Sequence, residues 1–185
     1  MILKCAEVGV PHPEGIFAAV CVDVIELGQE QVEYHGVIKT VEKLRLVFET
    51  DDGEPRWLAR KVTASIHPKS RMGELIGKWR GRPILPGETF DTKNLIGASA
   101  TLVVSHQQKA DGTGVFAGID AVSRPTRKVT PSGRYNPEEA REKIRQYKAQ
   151  EQTERAAGVP PVRLVAPAAG PGPALAVDDE DDVPF

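Results

Sequence analysis

The feature that most constrains the fold is a two-residue alternation of apolar and polar side chains. Such alternation is typical of β-strands that bury one face in a core. It occurs in five separate stretches, at 16–25, 37–50, 56–66, 98–106 and 115–121. A helical period occurs between the third and fourth stretches, where apolar side chains lie at i, i+3, i+4 and i+7, namely Met72, Leu75, Ile76 and Trp79. We therefore expect five short strands with one helix between the third and the fourth.

The same alternation predicts which side chains face the core. On the first strand the expected inward residues are Ile16, Ala18, Val20, Val22 and Val24, and on the second they are Leu44, Leu46 and Phe48. Trp57 is expected to face outward from the third strand, whereas the helical spacing of Trp79 predicts a buried ring. The stretch 28–36, which begins and ends with glycine, is expected to be a loop.

Five short strands with a helix after the third match the element order of an OB-fold barrel. The second and third strands of that fold, with their flanking loops, commonly bind oligonucleotides. We therefore predict an all-β chain with a five-stranded OB-fold barrel at residues 1–125, followed by a C-terminal helix and a disordered acidic tail.

The sequence changes character after Pro125. Asn136 precedes Pro137 and Glu138-Glu139, which supplies an N-cap, a proline at the first helical position and a glutamate at the capping-box position. A basic linker and a helix over about 137–156 are therefore expected within residues 126–157. Residues 158–177 are rich in proline, alanine and glycine with a single charge, a composition that does not build a core. Residues 158–185 are thus predicted to be a disordered linker with an acidic end.

The net charge of −2 hides two opposite charge runs. Within residues 55–82 the basic side chains are opposed by Glu74 alone, while residues 178–182 are all acidic. The basic run is suited to phosphates. The acidic run is suited to a basic partner, or to the basic run of the same chain.

Binding of single strands requires cations along a groove and aromatic faces on which bases stack. The expected outward positions supply both. The candidate nucleic-acid-binding residues are Lys39, Lys43, Arg45, Lys61, Trp57, Phe116, Phe17 and Tyr34. A basic strand face that is merely solvated, with aromatic side chains that cover a neighbouring helix, is the alternative interpretation.

Two further basic groups are open to more than one interpretation. One group extends the groove or interacts with the end of the predicted helix, and consists of Arg71, Lys78, Arg80 and Arg82. The other binds phosphates or the acidic end of the chain, and consists of Arg124, Arg127, Lys128 and Arg134.

The sequence shows few features typical of an enzyme active site. The four histidines are scattered, none pairs with another at helical spacing, and no glycine-rich phosphate loop is present. We therefore expect no catalytic residue, no metal site and no cofactor. Cys5 and Cys21 do not make a disulfide framework, and the sequence shows no signal peptide or membrane span, so a soluble cytoplasmic protein is expected.

The most specific motif is formed by the last eight residues, Asp178, Asp179, Glu180, Asp181, Asp182, Val183, Pro184 and Phe185. This motif resembles the C-terminal tip of bacterial single-stranded-DNA-binding proteins, in which an acidic run ends in Ile-Pro-Phe. Val183 stands where isoleucine is usual. The resemblance implies that Phe185 fills an apolar pocket on replication and repair proteins while the acids meet cations at its rim.

The core resembles a second group of proteins. Residues 91–97, which lead into a strand that ends at His106 and then into a glycine-containing hairpin, are similar to divergent OB proteins encoded by bacteriophages. The two resemblances imply a protein that binds and protects single-stranded DNA during replication, recombination or repair, in a bacterial or phage-infected cell, and recruits partners through its tip. A homo-oligomer is compatible with both.

Two alternatives from other classes remain. One is a protein-docking adaptor of a replication complex that does not itself bind nucleic acid. The other is a nucleic-acid-processing enzyme, which the scattered histidines and turn-bound acids disfavour.

Overall fold

The computed structural model describes residues 11–34, 37–108, 112 and 114–156. The strands are β1 (Gly15–Tyr34), β2 (Val37–Thr50), β3 (Arg56–Thr63), β4 (Ser99–Gln108) and β5 (Val115–Ser123). The helices are α1 (Arg71–Arg80), α2 (Pro137–Ala156) and a short 3₁₀ helix (Thr92–Leu95). The predicted order of five strands, with a helix between the third and fourth and another near the C-terminus, is confirmed.

The five strands form one antiparallel sheet in the order β3-β2-β1-β4-β5. The two end strands, β3 and β5, lie close to one another. Nη1 of Arg60 on β3 donates to the carbonyl oxygen of Asp120 on β5 at 2.9 Å. The sheet is therefore strongly curled. We call the side that packs against α1 the inner face and the opposite side the outer face.

The core lies between the inner face and α1. Leu44, Leu46 and Phe48 are buried in it as predicted, and so are the four apolar residues of the α1 stripe. The Trp79 ring packs on Phe48 with 5.4 Å between ring centroids, and its indole N–H donates to the carbonyl oxygen of Ser99 at 2.6 Å. Trp79 thus joins the helix to β2 and to the start of β4, and its predicted burial is confirmed.

The glycine at position 73 weakens the helical stripe in the sequence but is required by the packing. A Cβ at Gly73 would lie 2.2 Å from the backbone oxygen of His67, closer than non-bonded atoms can approach. The Gly73 N–H in turn donates to Oγ of the N-cap residue Ser70 at 3.0 Å. The first turn of α1 therefore packs directly against the backbone of the segment that precedes it.

The inner face of β1 differs from the prediction. Phe17, Ala19 and Cys21 contact the core, whereas Ile16 is 72% exposed. A β-bulge between Cys21 and Asp23 then shifts the alternation, so that Val24 packs against the core as predicted. The first half of β1 is apolar on both faces, so the two-residue period alone does not show which face points to the core.

β1 is also longer than predicted. Residues 28–34 were expected to be a loop, but they continue the strand and pair with β2, with Gln29 opposite Glu42 and Val32 opposite Lys39. We call residues 28–34 of β1 the arm. Polar side chains occupy both of its faces, so hydrophobic alternation does not reveal it. Backbone pairing between the two strands maintains it instead.

A segment that we call the strap, residues 125–135, crosses the outer face. Its backbone N–H groups bond to side chains of the sheet: that of Thr126 to Thr101 Oγ1 at 3.1 Å, that of Val129 to Ser99 Oγ at 2.9 Å, and that of Ser132 to Glu49 Oε1 at 2.6 Å. The strap therefore runs from β4 over β1 to β2, and its residue Val129 is buried.

Helix α2 continues from the strap along β1. Oδ1 of Asn136 accepts bonds from the N–H groups of Glu138 and Glu139 at 3.1 and 3.3 Å, which confirms the predicted N-cap. Lys148 donates through Nζ to the carbonyl oxygen of Leu27. The strap is thus bonded to the sheet, and α2 is attached to β1 through Arg141, which pairs with Asp23, and through Lys148.

The predicted linker at 158–177 and the acidic motif at 178–185 lie outside the described residues. Of the helices in the described part of the chain, none has the length and apolar composition needed to cross a membrane.

We predict that Trp79→Ala lowers the free energy of unfolding by about 3–5 kcal/mol, because it removes a buried ring and leaves the Ser99 carbonyl without its donor. Denaturant unfolding followed by circular dichroism measures the change. Leu85→Ala is the matched control, since Leu85 is exposed, and should change stability by less than about 0.5 kcal/mol. Equal effects of the two substitutions would contradict the assignment of Trp79 to the core.

Candidate nucleic-acid interface

Four cations lie on the outer face of β2 and β3. Lys39, Lys43 and Arg45 occupy alternate positions of β2, and Lys61 on β3 lies directly opposite Arg45. We call these four residues the basic face. The sequence placed all four on this side, and the structure brings them together on two neighbouring strands.

Two cations of the basic face, Arg45 and Lys61, bring like charges together. Like charges directly opposite each other on neighbouring strands are unfavourable, and Arg45 faces Lys61 in this way. Lys61 pairs with Glu30 at 2.7 Å and Lys43 donates to Thr63 at 2.8 Å. Arg45 makes no hydrogen bond or ion pair with any residue that the structure describes. An anionic ligand would relieve this repulsion.

Arg71 adds positive potential from the start of α1. Burial lowers the pKa of Lys43; nearby Glu30 opposes this effect, whereas the charges of Lys61 and Arg71 reinforce it. A cation at a helix N-terminus is unfavourable for the helix, so the helix dipole does not explain Arg71. Of the two interpretations left open by the sequence, extension of the groove is the one this position favours.

An aromatic pair lies on the same face. Trp57 is 43% exposed, as its outward assignment predicted, and its indole N–H donates to Oε2 of Glu49 at 3.1 Å. The ring of Tyr135, at the end of the strap, is tilted by 47° to the Trp57 ring with 6.3 Å between centroids. The sequence prediction did not include Tyr135. Its position just before the N-cap of α2, where apolar residues often pack back on the helix, was the available indication.

Tyr135 is held by a carboxylate inside the sheet. Asp23 on β1 is 3% exposed, and its Oδ2 accepts the Tyr135 hydroxyl at 3.2 Å. Its Oδ1 accepts from Nη2 of Arg141 on α2 and from the Val24 N–H, both at 2.9 Å. A lone acid within an apolar strand was the only indication of this cluster in the sequence.

The environment of Tyr135 makes its hydroxyl a persistent donor. Burial and then the negative charge of Asp23 raise the pKa of Tyr135 to about 12. The phenol therefore stays protonated above pH 10, where an ordinary tyrosine ionises, and keeps its bond to Asp23.

The remaining predicted aromatic residues lie elsewhere. Phe17 was expected to point outward, but it packs against the core and contacts the His12 ring edge-on at 4.5 Å, so that expectation is wrong. Phe116 is half-buried on β5, and its neighbour Ala117 packs inward, so Phe116 lies on the outer face as expected. Tyr34 ends β1, and its side chain lies outside the described part of the structure.

Two of the basic residues in and just before the strap have structural partners. Arg127 pairs with Asp51 at 2.8 Å, and Arg124 donates to the carbonyl oxygen of Gly81 at 3.0 Å. These bonds attach the strap region to the loop after β2 and to the end of α1. Attachment of the strap to the rest of the fold is thus sufficient to explain the positive charge at both positions.

Two of the histidines, His12 and His106, take part in the packing of the chain that leads into β1. Nε2 of the buried His12 lies 2.9 Å from Thr50 Oγ1, and Nε2 of His106 lies 2.7 Å from the His12 carbonyl oxygen. Over the described ranges, no cluster of three or more His, Cys, Asp or Glu side chains is arranged to hold a metal ion.

Comparison with known proteins does not assign this arrangement to a family. No family model matches the chain, and no curated protein matches it. The geometry of the basic face and its aromatic pair therefore carries the functional argument.

We predict that Tyr135→Phe removes the tyrosinate absorbance step with a midpoint near pH 12, well above the ordinary value of 10. The raised pKa means that the neutral phenol stabilises the folded state below pH 10 and that this contribution is lost as the pH rises towards 12. A difference titration of wild type against the variant measures the midpoint. In denaturant the midpoint should return to about 10, and a folded-state midpoint already at that value would contradict the buried contact with Asp23.

Proposed function

We propose that the chain is a non-enzymatic protein that binds and protects single-stranded DNA. The observation that carries the proposal is the joint position of the basic face and Trp57 on the outer face of β2 and β3. Cations beside an exposed aromatic ring are the combination that sequence-tolerant binding of single strands requires.

The topology supports an OB-fold as the framework. The sheet is antiparallel and curled, β3 approaches β5, and α1 lies between the third and fourth strands with its apolar stripe in the core. OB barrels bind oligonucleotides on the second and third strands, where the basic face lies.

The proposed binding mode follows from the distribution of charge. Phosphates contact Lys39, Lys43, Arg45 and Lys61, with release of condensed counterions, and bases stack on the neighbouring aromatic ring. β2 and β3 contain no asparagine or glutamine, the side chains that pair with adenine through two hydrogen bonds. We therefore propose binding with little sequence preference.

We further propose that residues 178–185 dock onto replication, recombination or repair proteins. The support is the acidic run followed by Val183-Pro184-Phe185, since an apolar anchor with flanking acids fits a pocket rimmed by cations. A flexible tether of the length of 158–185 spans roughly 30 Å, enough to reach a neighbouring protein.

One observation favours the adaptor as a second candidate. Glu30 and Thr63 already satisfy Lys61 and Lys43, as expected for a face that does not contact phosphates. The two candidates differ in a direct titration. A fluorescently labelled dT oligomer should bind in a salt-sensitive manner and the matched duplex should not, whereas the adaptor binds neither at low salt.

Single alanine substitutions of Lys39, Lys43, Arg45 and Lys61 should weaken binding of dT and mixed-sequence oligomers alike. Removal of one phosphate-binding cation should lower the slope of log affinity against log salt by about 0.7. The matched control is Lys78→Ala, an exposed lysine on α1, which should leave the slope unchanged. Unchanged slopes in all four variants would show that the strand lies elsewhere.

Deletion of residues 178–185 should leave binding of the dT oligomer intact, or slightly tighter at low salt, because the acids compete with phosphates in a screened manner. The deletion should abolish capture of replication or repair proteins, and Phe185→Ala alone should do the same while the acids remain. Capture that survives Phe185→Ala but disappears when the five acids are neutralised would show that the segment acts only through its charge.

A further inference from the structure

We propose that Tyr135 is a second base-stacking residue, and that the end of the strap that carries it belongs to the DNA-binding surface. This inference rests on the proposed function. It adds a residue that lies outside the five-stranded sheet and 78 positions from Trp57 along the chain.

The first support is the geometry of the two rings. At 6.3 Å and 47° the rings of Trp57 and Tyr135 touch without stacking on each other, and Trp57 remains 43% exposed. Glu49 holds both Trp57 and the strap that carries Tyr135. Its Oε2 accepts the Trp57 indole N–H at 3.1 Å, and its Oε1 accepts the Ser132 N–H of the strap at 2.6 Å. Preorganised rings lose little conformational entropy when a base stacks on them.

The second support is the attachment of Tyr135 to Asp23. A hydrogen bond to an ionised carboxylate is stronger than one between two neutral groups. Asp23 holds the Tyr135 hydroxyl from one oxygen and Arg141 from the other, at 3.2 and 2.9 Å. The ring is thereby held in place from its hydroxyl end.

The third support is continuity with the cations. Arg45 lies close enough to Tyr135 for its positive charge to oppose the rise in the pKa of that phenol. Arg45 in turn faces Lys61 across the strands. A nucleotide whose phosphate lies on this cation pair therefore has its base within reach of the aromatic pair.

The test compares two oligomers of equal length and charge, a dT oligomer and one in which the central nucleotides are abasic. Tyr135→Leu should weaken binding of the dT oligomer by about 5- to 150-fold, the equivalent of one base stacked on an aromatic ring, and leave affinity for the abasic oligomer unchanged. Tyr135→Phe keeps the ring but loses the bond to Asp23, so it should weaken binding of the dT oligomer less than Tyr135→Leu does and leave affinity for the abasic oligomer unchanged. Tyr147→Leu is the matched control, because Tyr147 is an exposed tyrosine on α2.

The outcomes separate the possible roles. Equal weakening on both oligomers would show that Tyr135 only fastens the strap, and no weakening on either would exclude it from the interface; both results overturn the inference while the proposed function stands. If the wild-type protein binds neither oligomer, the proposed function fails and the inference with it.

A second measurement applies if Tyr135→Leu does not fold. Photocrosslinking of the wild-type protein to a 5-iododeoxyuridine oligomer should yield adducts at Tyr135 as well as at Trp57. Adducts confined to other residues would overturn the inference.

Discussion

Two buried carboxylates on the outer face impose the condition on which the rest of the structure depends. Asp23 and Glu49 are each 3% exposed, and a buried carboxylate is tolerated only when it is well bonded. The C-terminal segment supplies much of that bonding, through Tyr135 and Arg141 to Asp23 and through Ser132 to Glu49. The strap and α2 are therefore integral to the sheet, because without them both acids would be left with fewer hydrogen bonds.

This arrangement divides the outer face into two parts. The part formed by β1 and β4 is covered by the strap and α2, while the part formed by β2 and β3 is open and carries the basic face. Asp23 lies in the covered part and pairs with Arg141, whereas Glu49 lies at the boundary of the two parts, between the strap and Trp57. The negative charge of Asp23 is thereby neutralised next to the surface where we propose that phosphates bind.

The elements that sequence reasoning predicted are those defined by local pattern. The stripe of α1, the inward face of β2 and the N-cap of α2 each depend on side chains within a few residues of one another. The opposite placements of Trp57 and Trp79 followed from the same periods. The face of β1 was misassigned because its first half is apolar on both sides, and its arm was missed because it is polar on both sides.

The sequence by itself determined the order of strands and helices, the side of the sheet that carries the basic face, and the charge asymmetry between residues 55–82 and 178–182. Only the tertiary structure decided that Tyr135 meets Trp57 and that Asp23, 112 residues before Tyr135, binds its hydroxyl. The reason is that a β-bulge determines which face of β1 carries Asp23, and the path of the strap determines that Tyr135 lies over Asp23. Neither depends on a local period, since both arise from packing between distant segments.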